Sequence, residues 1–375
     1  MTVITGLPNH PTGVVPPEYR RTIFRRETLD GMTVFRNWLY ATPNEGLIRK
    51  TLSHISFMIS AMVLTTPRLR GYDVIVVSSP AFFAVISAWF MSRFWRIPYV
   101  FEVRDLWPGI FVELGVLRNR AIITILETVE MFLYRRAARV VVVTHSFRDI
   151  LVRRGLPPSH VKTITNGVDT ESFQPASTDN DIRRAYELGD KFVVLYIGAH
   201  GISQALTAVL EAAGELESEA EVEFLLVGEG AEKRKLVDQA ARLGLRHVRF
   251  VGGQPRHSMA NWYAASDVVL VPLRNIPLFE TFIPSKMFEI MAAGRPIIGS
   301  VRGEARSILE RAGSALIVDP EDAKGIAAAV RRLHDDPQMG RRLGASGRDF
   351  VVANYDRRVL AREYLDLLVA VASER

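Results

Sequence analysis

The feature that most constrains this fold is a repeated alternation of short β-branched runs with longer segments of helical apolar spacing. Tyr72–Ser78 (YDVIVVS) and Arg139–Thr144 (RVVVVT) are nearly continuous apolar runs, as expected of parallel strands that are buried on both faces. Segments with helical spacing separate such runs along most of the chain, and this succession specifies a parallel sheet covered by helices. The sequence therefore predicts a doubly wound α/β fold.

The alternation restarts after a polar stretch, Thr170–Asn180 (TESFQPASTDN). A chain of 375 residues is also too long for one core. We therefore expect a first domain over residues 1–170, a linker over 171–190, a second domain over 191–352 and a C-terminal helix over 353–375. Ligands bind beyond the carboxyl ends of parallel strands, so the site is expected in the cleft between the two sheets.

Four stretches of the first half carry expectations of their own. Thr2–Thr5 reads as a strand, which we place in the parallel sheet of the first domain, and residues 18–40 read as a short strand or a hairpin around Asp30-Gly31. Ile55–Leu64 and Ala81–Phe90 are apolar but only about half as long as a membrane-spanning helix. We therefore interpret both as buried helices of the α/β domain.

Positive charge is concentrated in the first half. Residues 1–175 carry 21 Lys and Arg against 13 Asp and Glu, a net charge of +8, whereas the remainder carries 26 against 28, a net charge of −2. This asymmetry indicates an anionic partner such as a membrane surface, a phosphorylated lipid or nucleic acid. The clusters at Tyr19–Arg26 (YRRTIFRR) and Arg93–Arg96 (RFWR) mix cations with aromatic rings, as membrane interfaces favour.

The sequence lacks the residues that several kinds of site require. The chain has no cysteine, which excludes disulfides and thiolate metal sites and fits a reducing compartment. His10, His145, His200 and His257 are not spaced as metal ligands, and no G-x-S-x-G nucleophile motif occurs. We expect no metal.

The stretch Pro277–Pro296 (PLFETFIPSKMFEIMAAGRP) predicts a loop, one short helix and a stop. Ser285 suits the N-cap because its hydroxyl can accept a hydrogen bond from a free N–H of the first turn. Gly294 followed by Pro296 ends the helix. The apolar residues of the helix should bury one face; they are Met287, Phe288, Ile290 and Met291.

Lys286 and Glu289 remain on the polar side of this helix, one turn apart. A helix start attracts anions, Lys286 adds a positive charge there, and Glu289 adds an acceptor for sugar hydroxyls. A nucleotide diphosphate needs both groups. The helix by itself leaves an ordinary solvated surface as an equal alternative.

Two further groups of residues follow predicted strands. Glycines there let a backbone approach a ligand closely, which is typical of a phosphate or nucleotide cleft; they are Gly198, Gly201, Gly228 and Gly230. No complete G-x-G-x-x-G occurs. Charged residues follow the strand that ends in VFEV, before Trp107, and we interpret them as an active-site lip rather than a salt-bridged strand exit; they are Glu102, Arg104 and Asp105.

These residues resemble the retaining glycosyltransferases of family 4. The resemblance covers nearly the whole chain and rests on four segments, FEVRDLWP (Phe101–Pro108), NGVD (Asn166–Asp169), GEG (Gly228–Gly230) and PSKMFEIMAAGRPII (Pro284–Ile298). It is most similar to the bacterial O-antigen, capsule and colanic-acid transferases of the L-fucosamine type. The resemblance implies a GT-B fold, in which two Rossmann-like parallel-sheet domains face each other across a cleft.

The resemblance also implies an activity. The protein would move a hexosyl or N-acetylhexosaminyl group from a nucleotide-sugar, expected to be a UDP-sugar, to a polyprenyl-diphosphate-linked glycan, with retention of configuration. It would take part in the synthesis of a surface polysaccharide. The protein would be cytoplasmic and bound peripherally to the anionic inner face of the membrane. It would need no cofactor beyond the donor and no nucleic acid.

Residue roles follow from the same resemblance. Glu289 would bind the ribose, and Lys286 with Arg274 would hold the diphosphate beside the Gly198–Gly201 loop. Ser285 would join the donor site. Asp105 would lie near the reacting carbon or the acceptor hydroxyl, and the first domain, with Glu102 and Arg104, would take the acceptor.

The sequence departs from the family in three places. The position of the family's first glutamate is Thr281, and Glu280 stands one residue earlier, so either can fill that role. Many members carry an arginine and a lysine where this chain has only His200. We also expect that a strand, a glycine loop and a helix are missing before Met1, through a misplaced start or a truncation, which would weaken transfer more than nucleotide binding.

Two other functions stay open at this point. A nucleotide-sugar epimerase on the same fold would need no acceptor, and the basic first half argues against it. A non-catalytic nucleotide-binding remnant would follow from a true truncation, and the codons upstream of Met1 would decide it.

Overall fold

The structure is a computed structural model that describes residues 1–9, 13–42, 47–113, 115 and 117–374. His10 lies outside the described residues. The chain folds into two compact units. The first unit comprises Met1–Val143, Phe147–Ile164 and Tyr364–Arg375, and the second comprises Thr144–Ser146 and Thr165–Glu363.

A three-stranded sheet opens the first unit, formed by β1 (Thr2–Gly6), β2 (Phe24–Leu29) and β3 (Met32–Asn37). The expected hairpin is confirmed: β2 and β3 pair antiparallel, and Asp30 and Gly31 have φ angles of 47° and 75°, as a two-residue I′ turn requires. The placement of β1 in the other, fully parallel sheet is wrong, because its whole length pairs with β3 in parallel register.

A four-stranded parallel sheet forms the rest of the first unit. Its strands lie in chain order and are β4 (Ile75–Ser78), β5 (Tyr99–Val103), β6 (Arg139–Val142) and β7 (Val161–Thr163). Its helices are α1 (Leu47–Leu64), α2 (Phe82–Trp95), α3 (Gly109–Glu113), α4 (Arg120–Arg136) and α5 (His145–Arg153).

The two apolar runs of this unit behave differently. The run Ala81–Phe90 leads into α2, where Phe82 and Val85 are buried as expected. The run Ile55–Leu64 ends α1, and here the expectation of a buried helix is wrong, because Ile59 and Val63 are exposed. Within the described residues, no helix is both long and apolar enough to cross a membrane.

The second unit is built on one six-stranded parallel sheet. The strands are β8 (Phe192–Ile197), β9 (Val222–Val227), β10 (Val248–Val251), β11 (Val268–Pro272), β12 (Ile297–Ser300) and β13 (Ala315–Val318). The helices are α6 (Asp181–Ala185), α7 (Leu206–Glu215), α8 (Lys233–Arg242), α9 (Met259–Ala265), α10 (Lys286–Ala292), α11 (Gly303–Ala312), α12 (Ala323–Asp335), α13 (Pro337–Asn354) and α14 (Arg357–Ser373), the last of which continues into the first unit.

Helices cover both faces of this sheet. Alternate residues of β8 enter separate cores: Val193 and Leu195 pack in the core that holds α10, whereas Val194 packs in the core that holds α7 and α12. A strand buried on both faces reads as a nearly continuous apolar run, which is why the sequence of β8 shows no alternation.

The stretch expected as a linker, residues 171–190, packs into the second unit. It contains α6, and Phe173 and Leu188 are buried in the core with Tyr263. Their burial ties the stretch to the second unit, although its polar residues read as a free connection.

The strand order fixes where the second unit can bind a ligand. The order is β10-β9-β8-β11-β12-β13, so the chain first builds outward from β8 and then returns to begin again at β11 beside it. Helices leave β8 and β11 toward opposite faces at such a switch point, which opens a crevice at the carboxyl ends of the two strands.

We expect Phe288→Ala to destabilise the second unit by about 3–5 kcal/mol, because it removes a fully buried ring. Phe288 is 0% exposed and stacks on Tyr355 with ring centroids 4.4 Å apart. Denaturant unfolding measures the change. The matched control is Leu243→Ala, at a side chain that is 49% exposed, which should change stability by no more than about 0.5 kcal/mol. Equal effects would show that α10 does not anchor this core.

Candidate functional site

Helix α10 lies where the sequence predicts it and buries the expected face, since Met287, Phe288, Ile290 and Met291 are all 0% exposed. The predicted cap is wrong. Ser285 has helical backbone angles (φ −56°, ψ −26°) and makes no side-chain cap, because a cap of that kind needs an extended residue. Its Oγ instead accepts a hydrogen bond from Asn166 Nδ2 at 3.1 Å.

Lys286 points from the start of α10 to the carboxyl end of β8. Its Nζ donates to the Ile197 carbonyl oxygen at 2.8 Å and lies 4.1 Å from the centroid of the Tyr196 ring. Burial lowers the pKa of Lys286 to about 8, and the nearby Glu289 carboxylate opposes that change. The ammonium is therefore held in the switch-point crevice with less solvation than a surface lysine, so a bound anion would restore its charged form.

Two glycine loops close around this ammonium group. Gly198 and Gly228 have φ angles of 149° and 145°, which L side chains rarely adopt. A Cβ at Gly198 would come within 2.5 Å of Lys286 Nζ, and a Cβ at Gly228 would overlap the Gly198 carbonyl. The contact between the two loops thus requires glycine at Gly228, whereas at Gly198 the positive φ and the Lys286 side chain favour glycine.

The other two predicted glycines differ from each other. A Cβ at Gly230 would overlap the backbone of His200, so this glycine belongs to the same loop contact. A Cβ at Gly201 would meet only the flexible end of Gln204, so the requirement there is weaker. The structure therefore joins Gly198, Gly228 and Gly230 in one loop contact, in which Gly198 lies against Lys286, and Gly201 is less constrained.

His200 links the two loops from inside. It is fully buried, its N–H donates to the Glu229 carbonyl at 2.9 Å, and its own carbonyl accepts from the N–H of Glu232 at 2.9 Å. Burial lowers the pKa of His200, with a smaller effect from Lys233. This residue holds the loop in shape and supplies no positive charge at neutral pH.

Both carboxylate oxygens of Glu289 already have partners. Oε1 forms an ion pair with Arg256 Nη2 at 2.9 Å, and Oε2 accepts from the Tyr263 hydroxyl at 3.1 Å. Tyr263 is buried, and burial together with the Glu289 charge raises its pKa, so its hydroxyl stays a donor. Arg256 is exposed. Glu289 is thus fixed on one side by a rigid donor and on the other by a cation that solvent can reach.

Arg256 and Tyr263 were not among the residues predicted for the site. Arg256 follows β10 in the loop GGQPRH, and a polar residue beyond a strand end was the one available signal. Tyr263 lies in the apolar stretch NWYAA, where nothing distinguishes its hydroxyl from a packing ring.

The other three residues predicted for the donor side differ in their surroundings. Arg274 makes a loose ion pair with Glu321, with Nε and Oε1 3.8 Å apart, and so is directed to Glu321. Thr281 donates its hydroxyl to the Leu278 carbonyl at 2.7 Å within the turn Pro277–Thr281. The side chain of Glu280 is exposed on the same turn.

The first unit carries the other predicted cluster, just beyond β5. Arg104 Nη1 lies 3.6 Å from Glu102 Oε1. Ser79, which follows the neighbouring strand β4, accepts at its Oγ from the N–H of Arg104 at 2.9 Å and of Asp105 at 3.3 Å. Burial raises the pKa of Asp105, and Arg104 opposes the rise. Asp105 is therefore a partly desolvated carboxyl at the carboxyl edge of this sheet.

Two neighbours of this cluster were not anticipated. Ser79 fixes the backbone of the loop, and Tyr364 on α14 lies close enough to Glu102 for that charge to add to the effect of burial in raising the phenol pKa. In the loop that follows, Trp107 stacks on Phe82 with 4.3 Å between ring centroids. Among the residues that the structure describes, no three His, Asp or Glu side chains converge as metal ligands.

We expect the Lys286 ammonium to titrate near pH 8, well below the ordinary lysine pKa of about 10.4. NMR of reductively ¹³C-methylated protein measures it, and the signal is assigned by its loss in Lys286→Met. The charged form persists below the pKa and is lost as pH rises through it. Glu289→Gln should lower the pKa further, because that carboxylate favours the ammonium. An ordinary lysine pKa would contradict the buried geometry.

Two family models match the chain. Residues 2–167 match the glycosyl transferase 4-like domain, and residues 178–350 match the glycosyl transferases group 1 model. The two matches fall on the two α/β halves.

Two curated proteins are similar to the chain. A lipopolysaccharide core biosynthesis glycosyltransferase of Rhizobium meliloti is 33% identical over 180 residues, which are 48% of this chain and 49% of that protein. The chain thus spans about half the length of this relative. An Escherichia coli K12 protein, named provisionally as a colanic acid biosynthesis glycosyl transferase, is 24% identical over 97% of this chain and 90% of its own.

Among solved structures, Anabaena Alr3699/HepE in complex with UDP-glucose superposes with a TM-score of 0.75 at 17% identity, covering 99% of this chain and 100% of that one. This similarity confirms the GT-B fold that the sequence resemblance implies. The chain therefore has the GT-B fold, and its two halves match the glycosyl transferase 4-like domain and the glycosyl transferases group 1 model.

Proposed function

We propose that this protein transfers a sugar from a UDP-sugar to a hydroxyl of a lipid-linked glycan during the synthesis of a surface polysaccharide. The observation that carries the proposal is the Lys286–Glu289 pair, which lies at the switch-point crevice of the second unit. The Lys286 cation, with one carbonyl partner, matches the diphosphate of such a ligand. The oriented Glu289 carboxylate, one helical turn away, matches its ribose.

In this proposal, Lys286 binds the diphosphate and the Gly198 and Gly228 loops let it approach closely. Charge develops on the diphosphate as the sugar–phosphate bond breaks, and a fixed cation in a poorly solvated crevice stabilises that charge. Glu289 accepts from the ribose hydroxyls after Arg256 gives up Oε1. The donor is the only small molecule that we propose for this site, with no metal.

The acceptor side of the proposal rests on the first unit. In this unit, Asp105 is the candidate for contact with the acceptor hydroxyl or the reacting carbon, because its side chain is a partly desolvated carboxyl at a sheet edge. Glu280 or Thr281 and Arg274 complete the donor side. We propose retention of configuration and a hexose or N-acetylhexosamine as the transferred group, on the strength of the resemblance to family 4.

The names of similar proteins support the class of substrate. One relative is named for lipopolysaccharide core synthesis and another, provisionally, for colanic acid synthesis, while a structural neighbour is described in complex with UDP-glucose. We therefore propose a polyprenyl-diphosphate-linked acceptor that the protein reaches peripherally at the inner face of the cytoplasmic membrane.

We expect UDP to raise the melting temperature of the protein, because a ligand that binds only the folded state stabilises it by mass action. Glu289→Ala and Lys286→Met should each abolish most of the shift. Glu310→Ala is the matched control, since Glu310 is a half-exposed carboxylate on α11, and it should shift like the parent. Unchanged shifts in the Glu289 and Lys286 variants would remove the nucleotide assignment.

We expect Asp105→Asn to lower sugar transfer by at least about tenfold, the effect of losing roughly 1.4 kcal/mol of transition-state stabilisation, while the UDP shift stays that of the parent. Transfer is measured from a labelled UDP-sugar to a lipid-linked acceptor, and NMR of the product reports its anomeric configuration. Asp149→Asn, at an exposed carboxylate of the same unit, is the control. Formation of an epimer without an acceptor would favour an epimerase instead.

A further inference from the structure

Helix α1 is apolar on two opposite faces. One face packs inward through residues such as Ala61, which is 1% exposed. The opposite face would be polar in an ordinary surface helix, but here it carries four large apolar side chains at helical spacing; they are Ile48, Leu52, Ile59 and Val63, with exposed fractions of 76%, 51%, 53% and 64%.

An apolar groove continues this face toward α2. It encloses about 340 Å³, and its walls include Met58 and Met62 from α1 and Phe90 and Phe94 from α2. The Phe94 ring is 61% exposed and stacks near Phe90, with centroids 6.4 Å apart. We call the exposed side of α1, this groove and Phe94 the α1–α2 face. Its continuous apolar surface is of the kind that marks an interaction site.

The segment of the chain that carries this face is basic. Over residues 47–101 the single acidic side chain is Asp73, against six cations, which are Arg49, Lys50, Arg68, Arg70, Arg93 and Arg96. Arg93 adjoins Phe94 in the sequence, and Arg68 adjoins Pro67, which lines the groove. All six cationic side chains are exposed.

We propose that the α1–α2 face docks on an anionic lipid bilayer, with the apolar side chains of α1 in the hydrocarbon boundary and the cations at the headgroups. Apolar residues bordered by Lys and Arg are the complement of such a surface. The groove then receives part of a lipid hydrocarbon chain. This inference deepens the proposed function and rests on it, because docking would bring the protein to its lipid-borne acceptor.

A second copy of the chain fits this face less well. A two-fold dimer would place the same patch against itself, so the six cations of one copy would meet the six of the other with only Asp73 to offset them. The bilayer supplies the negative charge that a second copy lacks.

The absence of cysteine from the natural sequence allows a direct test on the full chain. The test variant is Ile59→Cys, and the control is Val237→Cys on α8, where Val237 is 41% exposed. Each variant is labelled with one environment-sensitive fluorophore. With vesicles of equimolar phosphatidylcholine and phosphatidylglycerol, the label at position 59 should shift to the blue and be quenched by brominated acyl chains. The label at position 237 should do neither.

Variants then separate the apolar from the charged contribution to the partition coefficient on the same vesicles. Ile59→Ser with Val63→Ser should lower it at least about tenfold, because two large side chains no longer leave water. Arg93→Gln and Arg96→Gln should lower it about fivefold each, corresponding to about 1 kcal/mol per cation at an anionic surface. Val237→Ser with Leu243→Ser is the matched control and should bind like the parent.

The proposal is overturned if the parent binds pure phosphatidylcholine vesicles equally well, if it binds neither kind, or if the label at position 59 stays in water. A dimer that dissociates in the Ile59/Val63 variant would assign the face to a second copy instead. Vesicle binding is measured without donor or acceptor, and the UDP shift serves as the folding check on every variant. Binding through this face without sugar transfer would refute the proposed function and leave the surface standing.

Discussion

The candidate site depends on holding a lysine ammonium where its environment favours the neutral amine. Lys286 loses water at the end of β8 and gains one carbonyl hydrogen bond and the face of one tyrosine ring in exchange. These partners offset only part of the lost solvation, so its pKa is lowered to about 8. A partly buried cation of this kind has most to gain from an anionic ligand, as the proposed nucleotide site requires.

The rest of the second unit can be understood as the means of placing that ammonium group. The return of the chain to β11 beside β8 opens the crevice, and the fully buried apolar side of α10 fixes the helix that carries Lys286 into it. The same helix presents Glu289 one turn later. A side chain at Gly198 would collide with the ammonium, and one at Gly228 would collide with the Gly198 loop itself. Packing, topology and backbone conformation thus together determine the position of the Lys286 ammonium group.

The sequence predicted what local patterns determine. The runs Tyr72–Ser78 and Arg139–Thr144 contain β4 and β6 as expected, because each is a nearly continuous apolar run. The pairing of β1 with β3 could not be read in the same way, because strand pairing is a non-local choice that the residues of β1 alone do not encode. The Ser285 cap failed because it depends on backbone angles, and Tyr263 escaped notice because only tertiary packing brings its hydroxyl to Glu289.

Exposure was the least predictable property. The apolar stretch of α1 reads as a core helix, since a sequence pattern shows that residues are apolar but not whether a neighbour covers them. The structure supplies a neighbour for one side of α1 and leaves the other exposed.

One feature of the chain path affects how this protein is made. The first unit includes Tyr364–Arg375, and this segment is synthesised after residues 165–363, which belong to the second unit. Tyr364 beside Glu102 and the ion pair between Glu374 and Arg139, with Nη2 and Oε1 2.7 Å apart, can therefore form only after the second unit has been made. Domains generally fold in order of their synthesis, but here the second unit can finish first, and the earlier-made sheet acquires α14 afterwards.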